Sequence, residues 1–509
     1  MRRSLALVLL AGTAVLATAT GGAAATSART FGRSVVVDKA NTTGEPSLAV
    51  APDGGLYITA PDGPGVRLGG TGTGGSLVWR SDDRGASWTL LGSSDIPTGG
   101  GDSDIAIAKN GTIFASGLSY VACSTVSVST NRGATFVPTP IAGCGKIPLS
   151  NDRQWNAVDM DPAGNTTVYT AIGDTQSTQI DLVRGTLTGP LIVPSPTMVL
   201  SNTDDYQWPG TIAVRQSTGT AYTVWNTLGD PNDCDDTKCT APASSKTADR
   251  ILVSVVPRGA TTPPAPTLVA SRRFDTFDSF VADDVDAAGN VYVVWSERHP
   301  ATSETWTMLA ASRDGGRSWS APVKVNASPR TTTFPWVTAG ANGRIAVSYY
   351  GTAATGTSPQ KVAKGAPWYV WSSFSTDGGK TFREYRTTGV MNKGQICTSG
   401  TGCSTGGRNL LDFFETATDA KGCLLTAFTD NSTGTPYISF VRQTAGPGLQ
   451  TSPCAADRVG TASSTPKAPT VTRDPARGGG SLAATGLSVG LPLLGLVGLV
   501  LWRVTRLEQ

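Results

Sequence analysis

Carboxylates, arginines and large aromatic residues gather at the ends of a hairpin that repeats along this 509-residue chain. The acids are Glu45, Asp102, Asp104, Asp152, Glu297, Asp412 and Glu415, the arginines Arg153, Arg298 and Arg408, and the aromatics Trp208, Trp336 and Tyr350. Carboxylate and guanidinium groups hydrogen-bond to hydroxyls and acids, and an aromatic ring covers the apolar face of a pyranose. Gathered in one place, these groups would recognise carbohydrate. Each also has a plainer use, because polar side chains satisfy strand ends and hold loops in place. With His299 as the only histidine, the chain is a poor match for Ser-His-Asp catalysis or a His-rich metal centre. No cofactor is expected. Oxygen ligands suited to Ca²⁺ are densest in Asp-Pro-Asn-Asp-Cys-Asp-Asp at 230–236, a spacing that misses the EF-hand pattern.

The elements that must position these residues are short apolar strands separated by Gly-containing turns, an all-β signature. One hairpin recurs at 47–60, 104–117, 155–172, 210–226, 282–297, 337–351 and 413–430, and most copies are followed by material for two more strands. The last copy is followed by a single strand at 437–443. Residues 34–38, Ser-Val-Val-Val-Asp, can supply its missing outer strand and so join the first repeat to the last, removing an open edge. The expected fold is a seven-bladed β-propeller of four-stranded antiparallel blades, or six-bladed if one hairpin is an insertion.

Four short turns share the pattern S-x-[D/N]-x-G-x-[S/T]-[W/F]: Ser81-Asp-Asp-Arg-Gly-Ala-Ser-Trp88, Ser129-Thr-Asn-Arg-Gly-Ala-Thr-Phe136, Ser312-Arg-Asp-Gly-Gly-Arg-Ser-Trp319 and Ser375-Thr-Asp-Gly-Gly-Lys-Thr-Phe382. An Asp or Asn side chain can bond the amides of its own turn, Gly admits the tight geometry, and the aromatic packs back on the sheet. Their repetition resembles the Asp-box, or bacterial neuraminidase repeat, of sialidase-like β-propellers. That resemblance spans most of 34–444 and implies boxes on the outer hairpins of the blades. It further implies an arginine triad, matched here by Arg153, Arg298 and Arg408; a nucleophilic pair, Tyr350 with Glu297 or Glu415; and an acid, Asp152 or Asp104. The R-I-P motif that carries the family's first arginine has no counterpart, since the first inner strand begins Gly44-Glu-Pro-Ser47.

Both ends of the chain carry targeting signals. Residues 1–25 have two arginines, an apolar run and small-residue cleavage sites, as in a secretory leader. Residues 456–481, rich in Pro, Ser, Thr and Gly, form an extended linker. At 482–509, Leu482-Ala-Ala-Thr485-Gly486 precedes sixteen apolar-rich residues and two arginines, which resembles an actinobacterial LAxTG sortase signal; a permanent membrane tail is the alternative. The expected location is outside the cell, on the wall or the outer membrane face, with sortase and the cell wall as partners. Removing both terminal signals takes the formal charge from +3 to 0, so nucleic acid is not an expected partner; a monomer is expected.

The even count of eight cysteines suits disulfides. Let the upper face hold the loops that enter each inner strand and leave each second strand. Cys123 and Cys144 then meet above, Cys423 and Cys454 below, while Cys234 with Cys239 and Cys397 with Cys403 close loops inserted above. Because the chain departs below, beside Cys454, the upper face should point away from the cell. Three functions remain open: a carbohydrate-binding surface protein, an exo-acting glycoside hydrolase of sialidase-like type, and a protein-binding or structural envelope propeller.

Overall fold

A computed structural model describes residues 28–62, 75–95, 100–118, 124–142, 151–174, 179–202, 206–228, 249–272, 280–398, 403 and 407–455. The segments expected to be leader, linker and sorting signal, with Leu482, Thr485 and Gly486, the acidic segment 230–236, and Cys123, Cys144, Cys234 and Cys239 lie outside the described residues.

The described strands form antiparallel sheets whose innermost members are Ser47–Val50, Ser103–Ile107, Asn151–Met160, Tyr206–Arg215, Ala282–Val285, Thr331–Ala339 and Glu415–Thr418. Each contacts the next, and the seventh contacts the first, closing a ring of seven. Six sheets are joined by hydrogen bonds because the fifth and sixth blades share one parallel bridge, Thr305 with Thr331. The closed ring of antiparallel sheets is a β-propeller.

A blade in such a ring is covered on both faces, so its strands cannot alternate apolar with polar as a one-sided sheet does. The second strand of the fifth blade, Val291–His299, is buried at seven consecutive residues. Its Trp295 packs against Ile251 and Val253 of the fourth blade, while Tyr292 and Val294 face Ile345 and Val347 of the sixth. Each pair of neighbouring blades has its own apolar cluster, so the core is a ring of interfaces around a central channel.

The ring closes where the sequence placed the seam. Thr30–Phe31 and Val35–Val36 both pair antiparallel with Tyr437–Pro447, the third strand of the last blade, through Thr30 with Ala445 and Val35 with Phe440. Pairing therefore starts four residues earlier than 34–38. Asp38 then accepts from Trp79 Nε1 of the first blade at 2.9 Å, tying the seam to its neighbour.

The four Asp-boxes share one hydrogen-bond scheme, with one bond reversed in the second copy, where Asn131 Nδ2 donates to Thr135 Oγ1 at 2.9 Å. In the third copy, Ser312 Oγ donates to Asp314 Oδ1 and accepts from Gly316 N, both at 2.8 Å, and Asp314 accepts from Ser318 N at 2.9 Å and Ser318 Oγ at 2.6 Å. Hydrogen bonds from the Ser318 side chain and amide hold the Asp314 carboxyl below its usual range. The terminal aromatics pack on the inter-blade clusters as staples, and Trp88 meets Phe440 of the last blade edge-on at 5.3 Å. Gly85 of that box has φ +87°, and a Cβ there would overlap the Phe440 ring. Gly85→Ala is expected to cost roughly 2–3 kcal/mol, from left-handed strain plus overlap. Gly54→Ala, at φ +86° with open space around it, should cost about 1 kcal/mol. Chemical denaturation of the two variants checks the difference; equal losses would remove the Phe440 contact from the account.

Two of the expected disulfides fall on described residues, and both are formed: Cys397 with Cys403, and Cys423 with Cys454. Cys423 immediately precedes the second strand of the last blade, and Cys454 belongs to Pro453–Cys454, which pairs with Gly446 and Pro447.

Candidate functional site at the mouth of the propeller

Inner strands all enter the ring from the same face, so residues just before or at their starts converge around the axis. Glu45 lies two residues before the first strand, Asp102 and Asp104 flank the start of the second, and Asp152 and Arg153 open the third. Arg408, Asp412 and Glu415 lead into the seventh. The backbone is bent to present them. Glu45, Arg153 and Leu411 have φ of +53°, +56° and +57°, an unfavourable region for side chains with a Cβ, and Arg153 sits at a bulge in its strand. Such strain concentrates at ligand sites.

The charged half of the mouth spans the seventh, first, second and third blades. Arg408 Nε donates to Asp412 Oδ1 at 3.3 Å and its Nη2 to Asp412 Oδ2, while Glu45 Oε1 accepts from the Asp412 amide at 2.8 Å. Burial, then the charges of Asp102 and Asp412, push the Glu45 carboxyl well above its usual range against the pull of Arg408 and Arg153. Asp152, half-buried, is hydrogen-bonded to Asp102; burial and that neighbour push it up to about 7. Below them, Ser47 Oγ stands 2.7 Å from Asp104 Oδ1 and 2.8 Å from Glu415 Oε2. A hydroxyl has a single proton, so one of these contacts needs a proton on a carboxyl group. Burial and the adjacent Asp104 raise Glu415 well above the usual range, which makes it the natural holder.

The aromatic half spans the third to seventh blades. Trp155 packs at 4.9 Å from Phe413, 5.4 Å from Trp336 and 5.5 Å from Phe280, and Trp208 stacks on Phe280 at 5.7 Å. Trp208 and Trp336 are half-buried, whereas Trp155, Phe280 and Phe413 are buried. Arg153 joins the two halves. Its guanidinium lies 3.6 Å from the Trp155 ring centre and 4.0 Å from that of Phe413. It is 1% exposed, Nη2 donates to Ser103 O at 3.4 Å, and Nε and Nη1 are buried without a partner. Beneath this layer the channel holds a cavity of about 250 Å³, lined in part by Leu48, Asp283, Asp284, Trp336 and Glu415. Among the described residues no three His, Cys, Asp or Glu side chains are arranged to hold a metal ion.

The structure brings together Asp152, Arg153, Arg408, Glu415, Trp208 and Trp336, but not the expected tyrosine pair. Tyr350 is fully buried, stacked on Phe414 at 4.4 Å, and its hydroxyl accepts from the Thr429 amide at 3.1 Å. Burial raises its pKa, the opposite of what an activated nucleophile needs. Tyr350 lies near the upper end of a second strand, Ile345–Thr352, and its side chain faces the interface between the sixth and seventh blades. Glu297 accepts from Trp295 Nε1 at 3.1 Å and lies 3.3 Å from His299 Nε2. Arg298 is also on this second strand, paired with Thr305, one strand outward from the inner ring. Arg153 and Arg408 both act on Glu45.

Sequence reading missed the layer formed by Trp155, Phe280 and Phe413. Its signal was positional, one aromatic near the head of alternate inner strands, but each residue alone reads as ordinary core.

No protein-family model matches the chain, and no curated protein does. Among solved structures, the chain is similar to a protein of unknown function from Dyadobacter fermentans, with 14% identity, TM-score 0.42, and coverage of 82% of this chain and 98% of that one. It is also similar to the α-L-arabinofuranosidase Arb93A of Fusarium graminearum, with 16% identity, TM-score 0.43, and coverage of 63% and 93%. A third is the Hadza microbial sialidase Hz136, with 12% identity, TM-score 0.38, and coverage of 78% and 65%. Likeness at this level carries no argument about activity, and the β-propeller assignment rests on the closed ring of inner strands in this chain.

Proposed function

We propose that this chain is a surface-displayed, sialidase-like β-propeller that binds carbohydrate at its outward-facing mouth. The observation that carries the reading is the meeting, at Arg153, of a hydrogen-bonding half and an aromatic half. Sugars are amphipathic in the same way, with a rim of hydroxyls around apolar ring faces. Two buried N–H groups left without acceptors are costly, and a ligand hydroxyl or a water molecule would satisfy them. Display rests on the leader and the LAATG signal; orientation rests on the exit of the chain beside Cys454, opposite the mouth.

Equilibrium binding of the purified protein to a glycan panel tests the reading. Arg153→Met fills the space between Trp155 and Phe413 without a charge, so it should leave the denaturation midpoint unchanged or higher while weakening glycan binding at least tenfold. A panel with no bound glycan would sink the proposal.

Hydrolysis is the second reading, favoured by one observation. A carboxyl group with a pKa near 7 can protonate a glycosidic oxygen at neutral pH, and Asp152 has that property. Such an enzyme would work without the tyrosine nucleophile. Turnover that survives Tyr350→Phe but not Asp152→Asn would establish it.

A further inference from the structure

We infer that the mouth selects glycans that carry no carboxylate or sulfate and rejects acidic ones. The inference rests on the carbohydrate reading above and assigns the substrate class of that site.

Charge balance is the first ground. Among the described residues of the mouth, six carboxyl groups, those of Glu45, Asp102, Asp104, Asp152, Asp412 and Glu415, face two guanidinium groups, those of Arg153 and Arg408. Anion recognition by arginine needs an open fork of parallel N–H groups. Arg408 has already given its fork to Asp412, and its Nη2 is 3.9 Å from Glu45. Arg153 is covered on its faces by Trp155 and Phe413 and lies beside the carboxyl groups of Glu45 and Glu415. An acidic sugar would bring its anion to a cluster whose two guanidinium groups are already engaged, in a partly desolvated site where repulsion is weakly screened.

The second ground is independent of the acids. Arg153, 1% exposed, has Nε and Nη1 unpartnered within the site. Those N–H groups call for an oxygen acceptor, and the carboxyl oxygens around them call for donors. A hydroxyl is both, so a neutral sugar meets both needs without bringing charge. The half-buried rings of Trp208 and Trp336 add a face for its C–H groups.

The test is a panel that pairs each sialylated or uronate-bearing oligosaccharide with its asialo or carboxyl-reduced counterpart, with affinities measured on the full protein. The uncharged member of each pair should bind at least tenfold tighter. Preference for the acidic member would overturn the inference and leave the carbohydrate reading standing; no binding of either would overturn the carbohydrate reading itself. Asp412→Asn releases the Arg408 fork and should narrow the preference several-fold. Asp102→Asn, which removes one acid without touching that ion pair, gives the same readout if the first variant fails to fold. An unchanged preference in folded protein from either variant would count against charge balance as the selecting feature.

Discussion

Between pH 5 and pH 8 the protein is expected to lose stability, and Asp152→Asn is expected to remove much of that loss. Asp152 has its carboxyl pushed from 3.8 to about 7, first by burial and then by Asp102. Over that interval the folded state holds a proton that the unfolded chain releases. The stabilisation is therefore fully present below about pH 4 and is lost as pH rises through 7. At about 1.4 kcal/mol per pH unit, the change between pH 5 and 7 is roughly 3 kcal/mol. Asp284, pushed up to about 6 by burial, acts in the same direction, as do Glu45, Asp283 and Glu415. Asp83 and Asp377 act oppositely. Partial desolvation raises each, but hydrogen bonds from Ser87 and Thr381 outweigh it and bring Asp377 down to about 2, so their contribution fails only in strong acid. Urea denaturation of the parent and Asp152→Asn at pH 5 and pH 8 measures the effect. The asparagine can still donate to Asp102, so parallel losses in both proteins would show that another group titrates.

Loss of the Cys423–Cys454 bridge is expected to cost roughly 3–4 kcal/mol by the chain-entropy account. The bridge closes a loop of 31 residues, against 6 for Cys397–Cys403, whose loss should cost roughly 2 kcal/mol by the same reasoning. Its position adds to its length. The enclosed segment contains Tyr437–Pro447, the strand on which Thr30–Phe31 and Val35–Val36 close the ring. Freeing that strand loosens the seam between the first and last blades, where Trp88 meets Phe440 and Trp79 reaches Asp38. Denaturation midpoints of Cys423→Ala/Cys454→Ala and Cys397→Ala/Cys403→Ala provide the comparison, and an equal cost for both would remove the seam from the account.

The sequence by itself determined the repeating hairpins, the closing N-terminal segment and the Asp-box staples, and it allowed the Cys423–Cys454 and Cys397–Cys403 pairings that the structure forms. These follow from local chemistry: turn residues, β-branched runs and a fixed strand order set backbone geometry within a few residues, and a repeating order fixes which ends share a face. The same reasoning placed Asp152, Arg153, Arg408, Glu415, Trp208 and Trp336 at the mouth. Only the tertiary structure decided how side chains turn once they arrive. Tyr350 and Glu297 lie at upper strand ends as expected, yet one points into the interface with the seventh blade and the other toward Trp295 and His299. Second strands are covered on both faces, so their composition does not say which neighbour a side chain meets. Nor could spacing show that Trp155, Phe280 and Phe413 form one layer under Arg153, because they come from three blades and meet only when the ring closes. The pKa values at the mouth belong to the same class of fact: burial and charges from blades far apart in sequence set them, and both exist only in the closed ring.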